Sequence, residues 1–278
     1  ALESNDGFGT SVAFNSTGDR LAVGAVFDDG FGNLTSQSGA VYLFSFNDAN
    51  FSGGTLQATI GKGYVGGKNT NVVIDNSDQF GVSVSLNGAG NRLVVGANID
   101  GGYNNLVTYS GAVYLFNFID SNFSGGALQG IMGSGYVNSN SNQTVIDQAG
   151  LGYSVSTDDY DYFGSAVALN AAGNRLAVGV SGDDGFGNST TNSGAVYLYS
   201  FSDNNFSGGT LQSIIGKGYT GGKNINISLN ASDRFGVSVA LNAVGDRLAV
   251  GSFQDDGYGD SGQDYGAVYL FSFTDTNF

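Results

Sequence analysis

Residues 6–44 read DGFGTSVAFNSTGDRLAVGAVFDDGFGNLTSQSGAVYLF, and this stretch carries four signals in a fixed order. Asp6 stands two residues before the pair Phe8-Gly9. A polar, Gly-containing turn then leads into STGDRLAVG from Ser16, an acidic DDGFGN loop follows, and GAVYLF starts at Gly39. The apolar, β-branched runs SVAF and RLAVGA, separated by that short turn, predict a tight hairpin. GAVYLF predicts a third strand and TLQATIG, from Thr55, a fourth. Strands two and three are apolar at successive positions, as in a sheet covered on both faces. Nothing shows the 3.6-residue period or the caps of a helix.

The same order returns three more times. Phe-Gly pairs stand at Phe80, Phe163 and Phe235, preceded by Asp78, Asp161 and Asp233. The hairpin turns continue as GAGNRLVVG from Gly88, AAGNRLAVG from Ala171 and AVGDRLAVG from Ala243, and the third strands start at Gly111, Gly194 and Gly266. Phe8 to Phe80 is 72 residues, Phe80 to Phe163 is 83, and Phe163 to Phe235 is again 72. Repeats one and three share DDGFGN and an IGKGYxGGKN tail; repeats two and four share FGVSV and a loop tyrosine, Tyr103 and Tyr258. The extra residues of the second repeat fall between Asn138 and Tyr162. Small four-stranded sheets at such an interval predict an all-β chain of propeller blades. One repeat domain spans 1–278, with blades at approximately 1–77, 78–160, 161–232 and 233–278, the last one incomplete because GAVYLF is followed only by residues 272–278. Its open edge is expected to be completed by protein: a neighbouring repeat, self-association, or closure through the N-terminal residues.

Composition narrows the function. Of 278 residues 47 are Gly, and Pro, Cys, His and Trp are absent, so thiolate, disulfide and imidazole chemistry are excluded. A net charge of -15 disfavours nucleic acid and anionic membranes as partners, and no apolar run is long enough for membrane insertion by a helix. Two carboxylates remain available for glycosidase chemistry, but the acids recur in every repeat, whereas a catalytic pair is assembled once. The irregular segment with Asp147, Asp158, Asp159 and Asp161 is the one place to look for such a pair.

Three residue sets are candidate sites. The acidic loops offer Asp28, Asp29 and Asn33; Asp183, Asp184 and Asn188; and Asp255, Asp256 and Asp260, with a reduced set of Asp100, Gly101 and Asn105 in repeat two. Clustered oxygens among glycines suit Ca²⁺, yet each loop supplies only about half of the six to eight ligands calcium takes. Asx turns are the preferred reading. Second, four of the five arginines, Arg20, Arg92, Arg175 and Arg247, occupy one repeated turn, and a structural ion pair with Asp6, Asp78, Asp161 and Asp233 is expected in each blade. Third, Tyr42, Tyr114, Tyr197 and Tyr269 recur in the third strand, where packing is favoured over sugar stacking. The sequons at Asn50, Asn122 and Asn205 read as turn residues.

On these residues the chain resembles the FG-GAP repeat family, found in the propeller head of integrin α chains and in bacterial surface proteins. The resemblance runs through DxFG, RLAVGA in place of a VGAP-like segment, and GAVYLF. It implies a propeller acting as a non-enzymatic extracellular or cell-surface scaffold or adhesion module, part of a larger surface protein or filament. The alternative is a carbohydrate-binding or calcium-dependent lectin-like propeller. Calcium-binding members carry DxDxDG in the first hairpin. Here NSTGD, NGAGN, NAAGN and NAVGD stand there, which resembles a calcium-free branch with no cofactor.

Overall fold

Asn15 is the residue that closes the first hairpin. Its Oδ1 accepts the backbone N–H groups of Asp19 and Arg20 at 3.2 and 3.1 Å, so the side chain satisfies the turn while β1 (Phe8–Phe14) folds back on β2 (Arg20–Ala25). Val12 then faces Val23, and Phe14 faces Leu21. Asn87, Asn170 and Asn242 hold the equivalent turns in the same way. The computed structural model describes residues 2–136, 146–147, 159–203, 205–257, 264–274 and 278.

The first sheet continues antiparallel with β3 (Ala40–Ser45) and β4 (Thr55–Gly61), in strand order. A two-residue β5 (Thr70–Asn71) then pairs parallel with β4, adding a short strand to the four antiparallel ones expected of a blade. The tail after β4 supplies the reason: Asn69 Oδ1 accepts the Thr59 N–H at 2.8 Å and Asn71 Oδ1 that of Gly63 at 2.7 Å, pinning the returning chain to the sheet edge. The second sheet holds β6 (Ser83–Leu86), β7 (Arg92–Ala97), β8 (Ala112–Asn117), β9 (Ala127–Gly133) and β10 (Ile146–Asp147). The third holds β11 (Phe163–Leu169), β12 (Arg175–Val180), β13 (Ala195–Ser200), β14 (Thr210–Gly216) and β15 (Ile225–Asn226). The fourth has β16 (Ser238–Leu241), β17 (Arg247–Ser252) and β18 (Ala267–Ser272). The sheets are the four blades of a β-propeller, and a single 3-10 turn, Tyr103–Asn105, is the only helix among the described residues.

Neighbouring blades stack face to face, and the period-2 pattern of GAVYLF decides which side chain goes where. Val41 and Leu43 of blade 1 join one cluster with Phe80, Leu93, Tyr114 and Phe116 of blade 2. Val113 and Leu115 of blade 2 join Phe163, Tyr197 and Tyr199 of blade 3. Val196 and Leu198 of blade 3 join Phe235 and Val250 of blade 4, with Tyr269 and Phe271 packed against them. The valine and leucine of each third strand therefore face the following blade, and its aromatics face the preceding one.

The Phe-Gly pair brings the backbones together. Phe80 makes a parallel bridge to Gly39, Phe163 to Gly111 and Phe235 to Gly194. A Cβ on Gly39 would lie 2.0 Å from the Phe80 carbonyl oxygen, and one on Gly24 the same distance from that of Gly81. No other residue fits at these contacts. The inner hairpin turns join in a second series: Ser16 N–H donates to Gly88 O, Gly88 N–H to Ala171 O and Ala171 N–H to Ala243 O, at 2.9–3.1 Å.

Phe80, Phe163 and Phe235 are wholly buried between blades, whereas Phe8 is 45% exposed. Phe163→Ala is expected to cost about 3–5 kcal/mol. Phe8→Ala should cost less than half of that, as read from the midpoints of urea denaturation; equal losses would contradict the packing described.

Candidate functional site

The first aspartate of each acidic loop points inward. Asp28 is buried, and its carboxylate accepts hydrogen bonds from Gly30 N–H (2.8 Å), the Tyr42 hydroxyl (2.7 Å) and the Tyr64 hydroxyl (3.0 and 3.1 Å). Asp100 repeats this with Gly102, Tyr114 and Tyr136, and Asp183 with Gly185, Tyr197 and Tyr219. In blade 4, Asp255 accepts from Gly257 N–H at 2.8 Å and the Tyr269 hydroxyl at 2.6 Å. The second aspartate works on the loop surface: Asp29 Oδ1 accepts Gln37 N–H at 2.7 Å, Asp184 that of Asn192 at 2.6 Å, and Asp256 that of Asp264 at 3.0 Å. Asn33 and Asn188 adopt positive φ and donate their N–H groups to Gly30 and Gly185 carbonyls at 3.0 Å. Asn105 does the same to Gly102, and Gly101 O accepts Val107 N–H, so blade 2 keeps the turn without the second acid.

These loops are hydrogen-bonded turns with their oxygens already engaged. Among the described residues no group of three or more acidic side chains is arranged to hold a metal. The first hairpins do not fit calcium either. Asn15 Nδ2 donates to Asp19 Oδ1, and Asn87 Nδ2 to Asn91 Oδ1, at 2.9 and 3.0 Å, so the amide closes the turn that a metal would otherwise organise. Asp260, Tyr258 and Asp158 lie outside the described residues, as do most residues of the enlarged loop and the side chain of Asp147. Asp159 Oδ1 accepts Thr108 N–H at 2.8 Å.

Tyr42, Tyr114 and Tyr197 are buried, as their place in the third strand indicated. Their partners Tyr64, Tyr136 and Tyr219 were not singled out, although a constant offset of 36 residues from each aspartate was there to be read. Burial pushes the Asp183 carboxyl up to about 6, against the opposing pull of the Gly185 N–H and the two tyrosine hydroxyls. Burial likewise raises Asp78 and Asp100. Asp78 lines a cleft of about 490 Å³ between the tail of blade 1 and blade 2, with Asp75, Tyr103 and Tyr136.

The expected pairing of Arg20, Arg92, Arg175 and Arg247 with Asp6, Asp78, Asp161 and Asp233 is corrected. Hairpin register puts the two groups at opposite ends of the strands: the arginine opens the second strand, whereas the aspartate precedes the first, whose start pairs with the second strand's far end. Asp6, Asp78 and Asp233 instead accept the backbone N–H of Glu3, Asp75 and Asn230. Arg20, Arg92 and Arg175 reach across to the next blade. Arg20 donates to Ser121 O and Asn122 Oδ1, besides an ion pair with Asp19 at 3.1 Å. Arg92 donates to Ala172 and Gly173 carbonyls and lies over the Phe206 ring. Arg175 donates to Gly245 O and lies over Phe278. The sequons at Asn122 and Asn205 are the turns that Arg20 and Arg92 meet: Asp120 Oδ1 accepts the N–H groups of Asn122 and Ser124, and Phe123 has φ 59°.

The Phe-Gly pair, the Gly-Ala-Val-Tyr-Leu-Phe strand and their spacing recur in residues 2–44, 74–116 and 229–271, each of which matches the FG-GAP repeat. The chain carries FG-GAP repeats. Comparison with curated proteins gives no match. Among solved structures, an FG-GAP chain of this shape is similar to a putative 6-phosphogluconolactonase from Bacteroides uniformis, at 9% identity over 96% of this chain and 54% of that one, with a TM-score of 0.46. It is also similar to the periplasmic gluconolactonase PpgL of Pseudomonas aeruginosa, at 12% identity over 100% and 60%, TM-score 0.49, and to the β-propeller domain of Cps50 (Swd1) from Myceliophteria thermophila, at 11% over 95% and 54%, TM-score 0.44. The chain thus spans a little over half the length of these structures, and likeness at this level carries no argument about chemistry.

The Asp183 carboxyl sets a pH dependence. Its folded value of about 6 lies above the ordinary 3.8, so the folded state holds the proton more tightly. The stability from this group is therefore full below about pH 4 and is lost as pH rises through 6. Asp183→Asn should flatten the fall in unfolding free energy between pH 4 and 7 by up to about 1 kcal/mol per pH unit. An unchanged slope in urea titrations would contradict the raised value.

Proposed function

We propose that this FG-GAP propeller is a non-enzymatic protein-interaction module, acting as an extracellular scaffold or adhesion unit at a cell surface. The observation that carries this reading is a row of exposed apolar side chains on equivalent loops. Phe31 and Leu34 in blade 1, Tyr103 and Leu106 in blade 2 and Phe186 in blade 3 all follow the inward aspartate and all stand exposed. Each ring packs edge-on against the tyrosine that holds that aspartate: Phe31 on Tyr64, Tyr103 on Tyr136, Phe186 on Tyr219, with centroids 5.9–6.3 Å apart. The acids beneath are engaged in the turn, and the aromatics above are presented on a rigid base. Exposed apolar groups rimmed by polar loops are a feature of protein interfaces. FG-GAP repeats fit such a module, and among the described residues no helix is long and apolar enough to cross a membrane.

The test immobilises the chain and measures binding to panels of extracellular proteins and of glycans, with and without EDTA. Binding to a protein that survives EDTA and weakens at least tenfold in the triple variant Phe31→Ser, Tyr103→Ser, Phe186→Ser supports the reading. Binding confined to glycans and abolished by EDTA would favour the lectin-like alternative. Turnover of a lactone or glycoside would overturn the non-enzymatic assignment. Because the loop oxygens are internally engaged, EDTA is expected to leave the melting temperature unchanged.

A further inference from the structure

The contact between consecutive blades is made three times within the chain, and each time it has a forward and a backward half. The forward half comprises the two glycines that receive the Phe-Gly backbone, the valine and leucine of the third strand, and the arginine of the hairpin turn. The backward half comprises the Phe-Gly pair, the first-strand apolar residues behind it, and the Asn-Phe turn that meets the arginine. Blade 4 carries a forward half that nothing covers among the described residues. Val268 and Leu270 are 71% and 80% exposed, whereas Val41, Leu43, Val113, Leu115, Val196 and Leu198 are wholly buried at the same positions. Gly251 and Gly266 face only atoms of their own blade, and the Arg247 guanidinium bonds only to the adjacent Asp246 among the described residues. Blade 1 carries the matching backward half. Phe8, Val12 and Phe14 are exposed where Phe80, Val84 and Leu86 are buried, and Phe51 is exposed where Phe123 and Phe206 are buried. Among the described residues the series of inner-turn hydrogen bonds starts at Ser16 and stops at Ala243 without returning.

We propose that these two faces bind each other between copies of this chain: blade 4 of one molecule seats blade 1 of a second, head to tail, through the same contact that joins blades within each molecule. The fit follows from the repetition. Phe8 and Gly9 of the second copy meet Gly266 and Gly251 as Phe80 and Gly81 meet Gly39 and Gly24, Val268 and Leu270 enter the apolar layer, and Arg247 reaches the Asn50-Phe51 turn. The contact is heterologous, so two copies can close into a ring or many can run on as a filament. It is independent of the rim aromatics and of the role proposed for them. At a net charge of -15 per chain the copies repel, so added salt should strengthen an association that rests on apolar burial.

Sedimentation equilibrium of the 278-residue chain across concentration and salt tests this. The expected result is reversible self-association that tightens with salt. Phe8→Asp and Leu270→Asp should each weaken it by about 30-fold or more. Leu270 is 80% exposed in the single chain, so Leu270→Asp should leave far-UV circular dichroism and melting unchanged; Phe8 is partly packed on Tyr42 and Phe44, so Phe8→Asp should lower the melting temperature slightly while the far-UV spectrum is unchanged. The two variants mixed together should form a one-to-one heterodimer, because one intact contact remains between them. Leu34→Asp, on the rim, should leave association as it was. A monomer at all concentrations, association that survives both variants, or failure of the mixture to pair would each overturn the proposal.

Discussion

The fold rests on how closely two backbones can approach. Where Phe80-Gly81 lies across Gly39 and Gly24, the space for a side chain is absent, and the same exclusion recurs at Gly111 and Gly96 and at Gly194 and Gly179. This close approach lets a parallel backbone bridge form between neighbouring sheets, which the hairpin turns join by a second series of backbone bonds. With the bridge in place, the phenylalanine drops between blades and meets the third-strand aromatics edge-on, as Phe80 does with Tyr114 at 5.2 Å and Phe235 with Tyr269 at the same distance. The forward and backward roles of valine and tyrosine in GAVYLF follow from that docking. Glycine is therefore abundant in this chain for two separate reasons: some positions turn the chain, and these ones admit a neighbour.

A second constraint acts within each blade. Burying an unpaired carboxylate is costly, and the chain has no histidine and only nine lysines and arginines to offset 24 acids. Its solution is neutral donors. Two tyrosine hydroxyls and one glycine N–H converge on Asp183, and the same set converges on Asp28 and Asp100, tying the loop after the second strand to the third strand and to the tail beyond the fourth. These bonds pull the carboxyl towards its charged form while burial pushes it the other way, and burial prevails at Asp183 and Asp100. The network positions the loop whose outer face carries Phe31, Tyr103 or Phe186.

What could be read in advance depended on whether an interaction lay within one repeat or between two. Hairpins, third strands and the turn character of DDGFGN are local, written in β-branched runs, glycines and aspartates, and they stand where spacing put them. The arginine was misread for the opposite reason. Four arginines and four aspartates in equal phase suggested a pair within each repeat, but phase alone cannot separate a contact inside a repeat from one that reaches the next. Hairpin register placed Arg20 and Asp6 at opposite ends of β2 and β1, and the guanidinium turned to Asn122 in the following blade. Tyr64, Tyr136 and Tyr219 were legible only as a third repeated position at a fixed offset from an aspartate. β5 was not legible at all, since two residues held by asparagine side chains leave no strand pattern.

Where the chain places its polar groups bears on what kind of surface it offers. The inner end of the propeller, where turns from all four blades converge on a funnel of about 210 Å³, is lined by Phe14, Asn15, Ser16, Leu86, Asn87, Gly88, Leu169, Ala171, Leu241, Asn242 and Ala243, without an acid or a base among them. The asparagines there serve the turns, and the backbone serves the series of bonds between blades. The inward aspartates lie instead in the loops between second and third strands, each enclosed in its own blade. An arrangement that gathers no titratable groups towards the funnel, and that gives each blade its own copy of a closed network, leaves variation between blades to the loop surfaces above the networks. Those surfaces differ in just the residues a partner would touch: Phe31 with Leu34, Tyr103 with Leu106, Phe186 alone. On the function proposed above, recognition would rest on what each loop presents on a common base, with the base itself fixed by glycine contacts that tolerate no side chain.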